Sequence, residues 1–298
     1  MNILDQLKQA FRKGDSLTRL IFINAGVYLV LQIAVIVLRL FNVDGDFISA
    51  YLAVPASITD VLAMPWTLIT YMFLHMQFFH ILFNLLTLYW FGKIFLMYFN
   101  SRQLTGLYLI GGLAGALFYI LSFNIFPYFE PYVGSTVLMG ASASILAIVL
   151  AAALQAPNME MRLLFLGNVK LKYIAILFVL ISFFGITSNN AGGEIAHLGG
   201  ALAGYIFIVS LRRGKDITRW INAIIDFFVN LFKPRKLRVK VNKSGKSRTN
   251  TKMSDAEFNM NKARRMEEID RILDKIKTSG YESLTADEKK KLFDQGKN

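Results

Sequence analysis

The chain has 298 residues, 54% of them hydrophobic, with a mean hydropathy of +0.44 and a formal net charge of +13 at pH 7. Such an apolar excess and such a charge coexist only if they are segregated, which excludes an ordinary soluble domain and points to a membrane-inserted body with basic flanks. The absence of cysteine excludes disulfides, thiolate chemistry and any cysteine-ligated metal.

Residues 1–19 form a basic N-terminal segment carrying Lys8, Arg12, Lys13 and Arg19. Residues 20–213 follow as a sparsely charged core. Because a bilayer span takes roughly 20 apolar residues, six segments qualify, at about 20–41, 72–99, 103–126, 136–156, 171–189 and 194–211. The second includes an amphipathic lead-in. The predicted fold class is an all-α membrane protein with six transmembrane helices. No cleaved signal peptide is expected, because the run near Leu20 is too long and lacks a small-residue cleavage site.

Between the first two spans, residues 42–71 are apolar without forming a span. Phe47-Ile48-Ser49-Ala50-Tyr51-Leu52-Ala53-Val54-Pro55 and Met64-Pro65-Trp66 are short stretches broken by proline, so they are expected to lie in the membrane interface. Cations mark the alternate connections: Lys93 and Arg102, then Arg162, Lys170 and Lys172, then Arg212, Arg213 and Lys215. Apart from Arg39, the other side holds acids such as Asp44, Asp46, Asp60 and Glu130. The positive-inside rule therefore predicts that both termini are cytoplasmic.

Residues 214–232 are predicted as an interfacial amphipathic helix, with a polar stripe at Thr218, Asn222, Asp226 and Asn230 and a wide apolar face around Trp220. A seventh span here would carry Arg219 and Asp226 and export a basic tail, against the orientation rule. Residues 233–253 read as a basic, disordered linker whose cations suit anionic lipid headgroups. Nucleic acid is not an expected partner, since no aromatic residues interleave with those cations. Residues 254–298 form a short helical domain, with apolar spacing at Met266, Ile269, Leu273 and Ile276, a stop at Gly280, and a capping-box signature at Thr285 to Glu288. So small a core is expected to dock on a partner, such as a second copy of the chain.

Orientation places the polar residues of the core. His75, His80 and Asn84 fall in the outer half of span two, Ser142 about two turns below the outer surface in span four, and His197 in the outer part of span six. All three histidines of the chain therefore meet a serine at one level, and polar groups in lipid are costly and usually functional. A serine needs a base to take its proton, and His197 is the available one. Zinc is disfavoured, because there is no HExxH pair and the spans offer no buried carboxylate as a further ligand. No cofactor is expected. Asp60 and Glu130 bracket a carboxylate-free stretch, and the next acids are Glu160 and Glu194, so a serine–histidine dyad is what remains. Glu194, three residues before His197, either approaches the ring or is an interfacial acid favoured by the helix dipole.

Acyl transfer also needs donors for a developing oxyanion. His80 and Asn84, spaced i, i+4, share one helix face, and the Ser142 amide near a helix N-terminus adds a third donor. Small residues beside the serine, Gly140 and Ala143, invite close helix approach. Their expected partner is the Gly200 to Gly204 GxxxG element after His197.

These motifs resemble the rhomboid intramembrane serine proteases, of the bacterial six-helix type with a C-terminal extension. The resemblance rests on His75, the His80 to Asn84 run, Gly140-Ala141-Ser142-Ala143, and Ala196-His197-Leu198-Gly199-Gly200 through Gly204. Trp66 and Gly111-Gly112-Leu113-Ala114-Gly115 also fit, over roughly residues 15–213. It implies Ser142 as nucleophile, His197 as general base, His80 and Asn84 in the oxyanion hole, and cleavage of transmembrane protein substrates near their outer end. It further implies a place in the bacterial inner membrane. The chain departs from the family pattern at Ala143 in GxSG, at Thr67 after the loop tryptophan, at Leu146 four residues after the serine, and at Leu96 near the inner end of span two. A catalytically silent relative that binds or escorts transmembrane helices would lack the serine or the histidine; both are present. A transporter with a polar midplane site would show acids in the middle of the spans, broken helices and an inverted repeat, and the spans show none of these.

Overall fold

The computed structural model describes residues 2–163, 167–231, 268 and 271–289. It divides into two units, Met1–Pro234 and Arg235–Asn298.

The first unit is mostly helical. Helix α1 (Ile3–Lys13) precedes α2 (Ser16–Leu40), whose start is fixed by the Asp15 carboxylate accepting the Thr18 N–H at 2.8 Å. Along α2 the apolar Leu29, Val30, Ile33, Ile36 and Val37 are exposed, a surface that suits lipid rather than water. Its one buried polar residue, Asn24, donates to Tyr108 at 3.2 Å and to the Leu20 carbonyl at 2.9 Å, which offsets the cost of hiding an amide.

The long connection after α2 is ordered. It holds α3 (Asp46–Leu52), strand β1 (Val54–Pro55), α4 (Ile58–Ala63), α5 (Thr67–Thr70) and a 3₁₀ turn at Tyr71–Phe73. Side chains stitch it together: Trp66 donates its indole N–H to Tyr51 at 2.9 Å, and Thr70 its hydroxyl to Leu52 at 2.7 Å. Thr67, the departure noted above, is buried and satisfies itself on the Met64 carbonyl at 2.7 Å.

Next come α6 (Phe78–Tyr98), α7 (Ser101–Ile125), strand β2 (Val137–Leu138), α8 (Ser142–Gln155), the hairpin β3 (Glu160–Leu163) with β4 (Gly167–Lys170), α9 (Leu171–Phe184), α10 (Ala191–Arg212) and α11 (Arg219–Leu231). A capping box between Asn100 and Gln103 starts α7. Among the described residues, α2, α6, α7 and α10 are long and apolar enough to cross a membrane, while α8 and α9 have 14 residues each. The protein is thus a mostly helical membrane protein with four long apolar helices and two short ones.

The sequence expectation of six full spans is corrected at the fourth and fifth. At about 1.5 Å per residue a 14-residue helix rises roughly 21 Å, short of a hydrocarbon core of about 30 Å. Span four was expected from residue 136, but Val137–Leu138 instead pairs antiparallel with Val54–Pro55, and Gly140 adopts φ +120°. Both features keep the backbone out of helical geometry until Ser142, so the serine is the first residue of its helix. Helix α8 is apolar on nearly every side and is buried accordingly, as the central element of the bundle.

Helices α7, α8 and α10 approach through glycines. A Cβ at Gly200 would strike the Ala143 carbonyl, one at Gly204 the Ala147 carbonyl, and one at Gly115 would sit 2.6 Å from the Ala143 Cβ. In lipid, where no hydrophobic effect drives helices together, such backbone contact is a main source of packing energy. Helix α11 packs its polar stripe against the start of α7. Asn222 donates to the Arg102 carbonyl at 3.1 Å, Asp226 pairs with Arg102 at 2.9 Å, and Gly106 leaves room for Thr218. Trp220, Ile224, Phe227 and Phe228 remain exposed.

In the second unit, residues 271–279 are helical and stop at Gly280 with φ +77°, followed by a 3₁₀ turn at Tyr281–Ser283. Glu288 accepts the Thr285 N–H at 2.8 Å and returns its own N–H to the Thr285 hydroxyl at 3.3 Å. The Thr285 amide, with Lys275 beside it, holds the Glu288 carboxyl down to about 2. The linker 233–253 and the expected helical positions Met266 and Ile269 lie outside the described residues.

Candidate active site

Ser142 and His197 meet. The histidine Nε2 lies 2.7 Å from the Ser142 Oγ, at the junction of α8 and α10. The meeting follows from the small residues just described: with Gly200 against Ala143, the residues one turn earlier on α10 stand beside the start of α8. A lone pair on Nε2 at this distance can accept the serine proton.

The other ring nitrogen is also occupied. Nδ1 lies 3.0 Å from the Ser182 Oγ and 3.2 Å from Glu194 Oε2. Sequence reading left Glu194 between two roles, and the structure turns it toward the ring. Ser182 was missed altogether. Its signal was present, since it is the one serine or threonine in the apolar run 171–184, and a solitary hydroxyl in such a helix is worth a partner search.

His80 and Asn84, both on α6, line the same cavity as Ser142 and His197, a space of about 390 Å³ that also touches Phe79, Phe83, Met139, Phe178 and Ser182. Its lining mixes aromatic and aliphatic side chains with polar ones, the usual make-up of a ligand site. The Asn84 amide nitrogen is already committed, at 3.0 Å to the His80 carbonyl and 3.3 Å to the His75 Nε2. To serve an oxyanion it must exchange one of these bonds.

His75 is fully buried and does not line the cavity. Its Nε2 accepts the Ala141 N–H at 3.2 Å, while Nδ1 lies 3.3 Å from the Phe73 carbonyl. It ties the loop before Ser142 to the connection before α6. Gly140 lies in that loop, not in a helix interface. Its N–H donates to the Tyr71 carbonyl at 2.9 Å, and a Cβ there would come within 2.8 Å of the His80 ring. The expected packing role of Gly140 is therefore replaced by a conformational one, since φ +120° is rarely open to other residues. Ala143, Gly200 and Gly204 do lie in the helix contact.

Among the described residues no group of histidine and acidic side chains is arranged to hold a metal. The arrangement that exists is a serine whose proton has an acceptor, a histidine fixed at both nitrogens, and polar side chains across an apolar-walled cavity.

Residues 62–214 match the rhomboid domain family, and residues 253–297 match a family of unknown function, DUF6576. The chain is similar to the RHOMBOID-like protein 12, mitochondrial, of Arabidopsis thaliana, at 31% identity over 158 residues, which is 50% of this chain and 47% of that protein. The match thus spans about half the length of each.

Proposed function

This chain belongs to the rhomboid family, and we propose that it is an active intramembrane serine endopeptidase that cleaves transmembrane-helix substrates near their outer end. The observation that carries the reading is the 2.7 Å contact between Ser142 and His197 inside a bundle of apolar helices. As the Ser142 Oγ attacks the scissile carbonyl carbon, its proton passes to His197 Nε2 and the carbonyl electrons move onto oxygen. Collapse of that adduct breaks the C–N bond, and the proton on Nε2 goes to the leaving amine. A water then repeats the sequence on the acyl ester, releasing the acid and restoring the serine.

The negative oxygen needs donors only while it exists. The Ser142 amide, at the first position of α8, has no intrahelical acceptor. His80 and Asn84 line the same cavity as Ser142. His80→Ala and Asn84→Ala are each expected to lower kcat by roughly one to three orders of magnitude, with a smaller change in KM. Normal turnover in both variants would leave the stabilisation to backbone amides alone.

The proposed orientation has the basic termini and the β3–β4 hairpin on the inner side. Helices α8 and α9, although short, then complete six membrane-embedded helices. The exposed apolar face of α11 would rest in the inner interface. Every residue assigned to chemistry lies in the first unit, so truncation after Lys233 is expected to keep cleavage of a generic substrate in detergent. Complete loss of activity on removing residues 254–298 alone, with an unchanged melting curve, would make the tail part of the catalytic machine.

The test of the reading is direct. Purified protein in lipid vesicles is given a single-span substrate, and the products are mapped by mass spectrometry. Cleavage toward the outer end of the span, insensitive to EDTA, is the expected outcome. Cleavage that requires a metal, or none with the protein intact, would overturn it.

A further inference from the structure

We infer that Glu194 and Ser182 together are positioning residues, holding His197 in the tautomer and orientation that leave Nε2 bare for Ser142. The inference rests on the protease reading above and adds two residues to it.

A neutral imidazole carries one proton, and a general base toward Ser142 must carry it on Nδ1. Two acceptors stand at Nδ1, the Ser182 Oγ at 3.0 Å and Glu194 Oε2 at 3.2 Å. The Ser182 hydroxyl and the Glu194 carboxylate thus stand as two separate acceptors for the one Nδ1 proton. An ionised carboxylate only accepts, so its contact with Nδ1 favours the tautomer that carries the proton there. Asn190 donates to the other oxygen, Oε1, at 3.4 Å. Either acceptor can hold the Nδ1 proton without the other.

The surroundings are shaped for this. A Cβ at Gly185 would come within 2.7 Å of the Glu194 Cγ, and one at Gly193 within 2.6 Å of the Asn190 amide nitrogen. Bare backbone at both places lets the acid and the amide fold over the end of α9. An acid that merely complemented the α10 dipole would point to solvent, whereas the Glu194 side chain is 16% exposed and aimed at the ring. Residue 146, one turn after the serine, is leucine, so aromatic stacking from that position is not on offer and hydrogen bonds must do the orienting.

Redundancy gives the test its signature. Glu194→Ala and Ser182→Ala are each expected to lower kcat about tenfold with KM within about twofold. The double variant should lose far more than the product, approaching the roughly 10⁴-fold seen when a catalytic histidine takes the wrong tautomer. Ser182→Thr placed in the Glu194→Ala background should return kcat to the level of the Glu194→Ala single variant, since it restores the hydroxyl. With only three histidines to assign, nitrogen-15 spectra of the imidazoles read the tautomer without any substrate. The wild type should show His197 protonated at Nδ1, and the double variant a mixture. A wild-type ring protonated at Nε2, or a double variant losing no more than the product of the singles, overturns the inference. If the wild type cleaves nothing yet shows the Nδ1 proton that the double variant loses, the positioning stands and the protease reading falls.

Discussion

Ser142→Ala is expected to abolish peptide-bond cleavage, with kcat falling by roughly six orders of magnitude. His197→Ala should do nearly the same, because a nucleophile and its base act as a unit and the second loss adds little to the first. The geometry explains the scale. Nε2 at 2.7 Å is the only base within hydrogen-bonding distance of the Ser142 Oγ among the described residues, and a protonated serine is a weak nucleophile. Both side chains are small contributors to packing, so melting curves and membrane insertion should stay close to wild type. Purified variants assayed side by side on one substrate check this. Undiminished turnover by Ser142→Ala would end the account.

Gly200→Val is expected to damage the site by a different route, through the packing of its helices. Any Cβ at this position strikes the Ala143 carbonyl, which belongs to backbone and cannot rotate away. Helices α8 and α10 must separate, and the contact they carry is the one between Ser142 and His197. An outward shift of about 1 Å lengthens a 2.7 Å hydrogen bond beyond use and can cost on the order of a hundredfold in rate. Overpacking of a tight contact also costs about 1–3 kcal/mol. The variant should therefore show both a lower melting temperature and a lower kcat. Gly204→Val, meeting the Ala147 carbonyl one turn further on, should behave alike. Gly134→Ala serves as the control, since a Cβ there meets nothing. If Gly200→Val melts and cleaves like wild type, the helices are not held at the distance described.

Much of this was legible because a bilayer imposes simple rules. Apolar length located the helices, and cations on alternate connections suggested an orientation. The pairing of Ser142 with His197 was foreseeable from rarity: a polar side chain in an apolar run needs a reason, and three runs offered reasons at one level. Small residues on both sides indicated that α8 and α10 approach closely.

What escaped reading was decided by local backbone and by partners distant in the chain. Residues 136–141 are as apolar as a helix start, and composition alone does not reveal that Val137–Leu138 pairs with Val54–Pro55 from a loop some eighty residues earlier. Gly140 looked like a packing glycine because it sits beside the serine, yet its positive φ makes it a turn residue. Asn84 shared a helix face with His80 as expected, but spacing gives no hint that its amide is spent on His75 and the His80 carbonyl. Ser182 and Glu194 come from different helices and converge only at the ring.

The central claim is that Ser142 is a nucleophile activated by His197. It is tested most directly by a fluorophosphonate, whose phosphorus accepts the serine oxygen while fluoride leaves and the proton passes to the base. Purified wild-type protein in lipid vesicles is treated with the probe, digested and mapped by mass spectrometry. The account predicts one modified residue, Ser142, and no modification in folded His197→Ala protein. Label on any other residue, or equal labelling of Ser142 without His197, would contradict it.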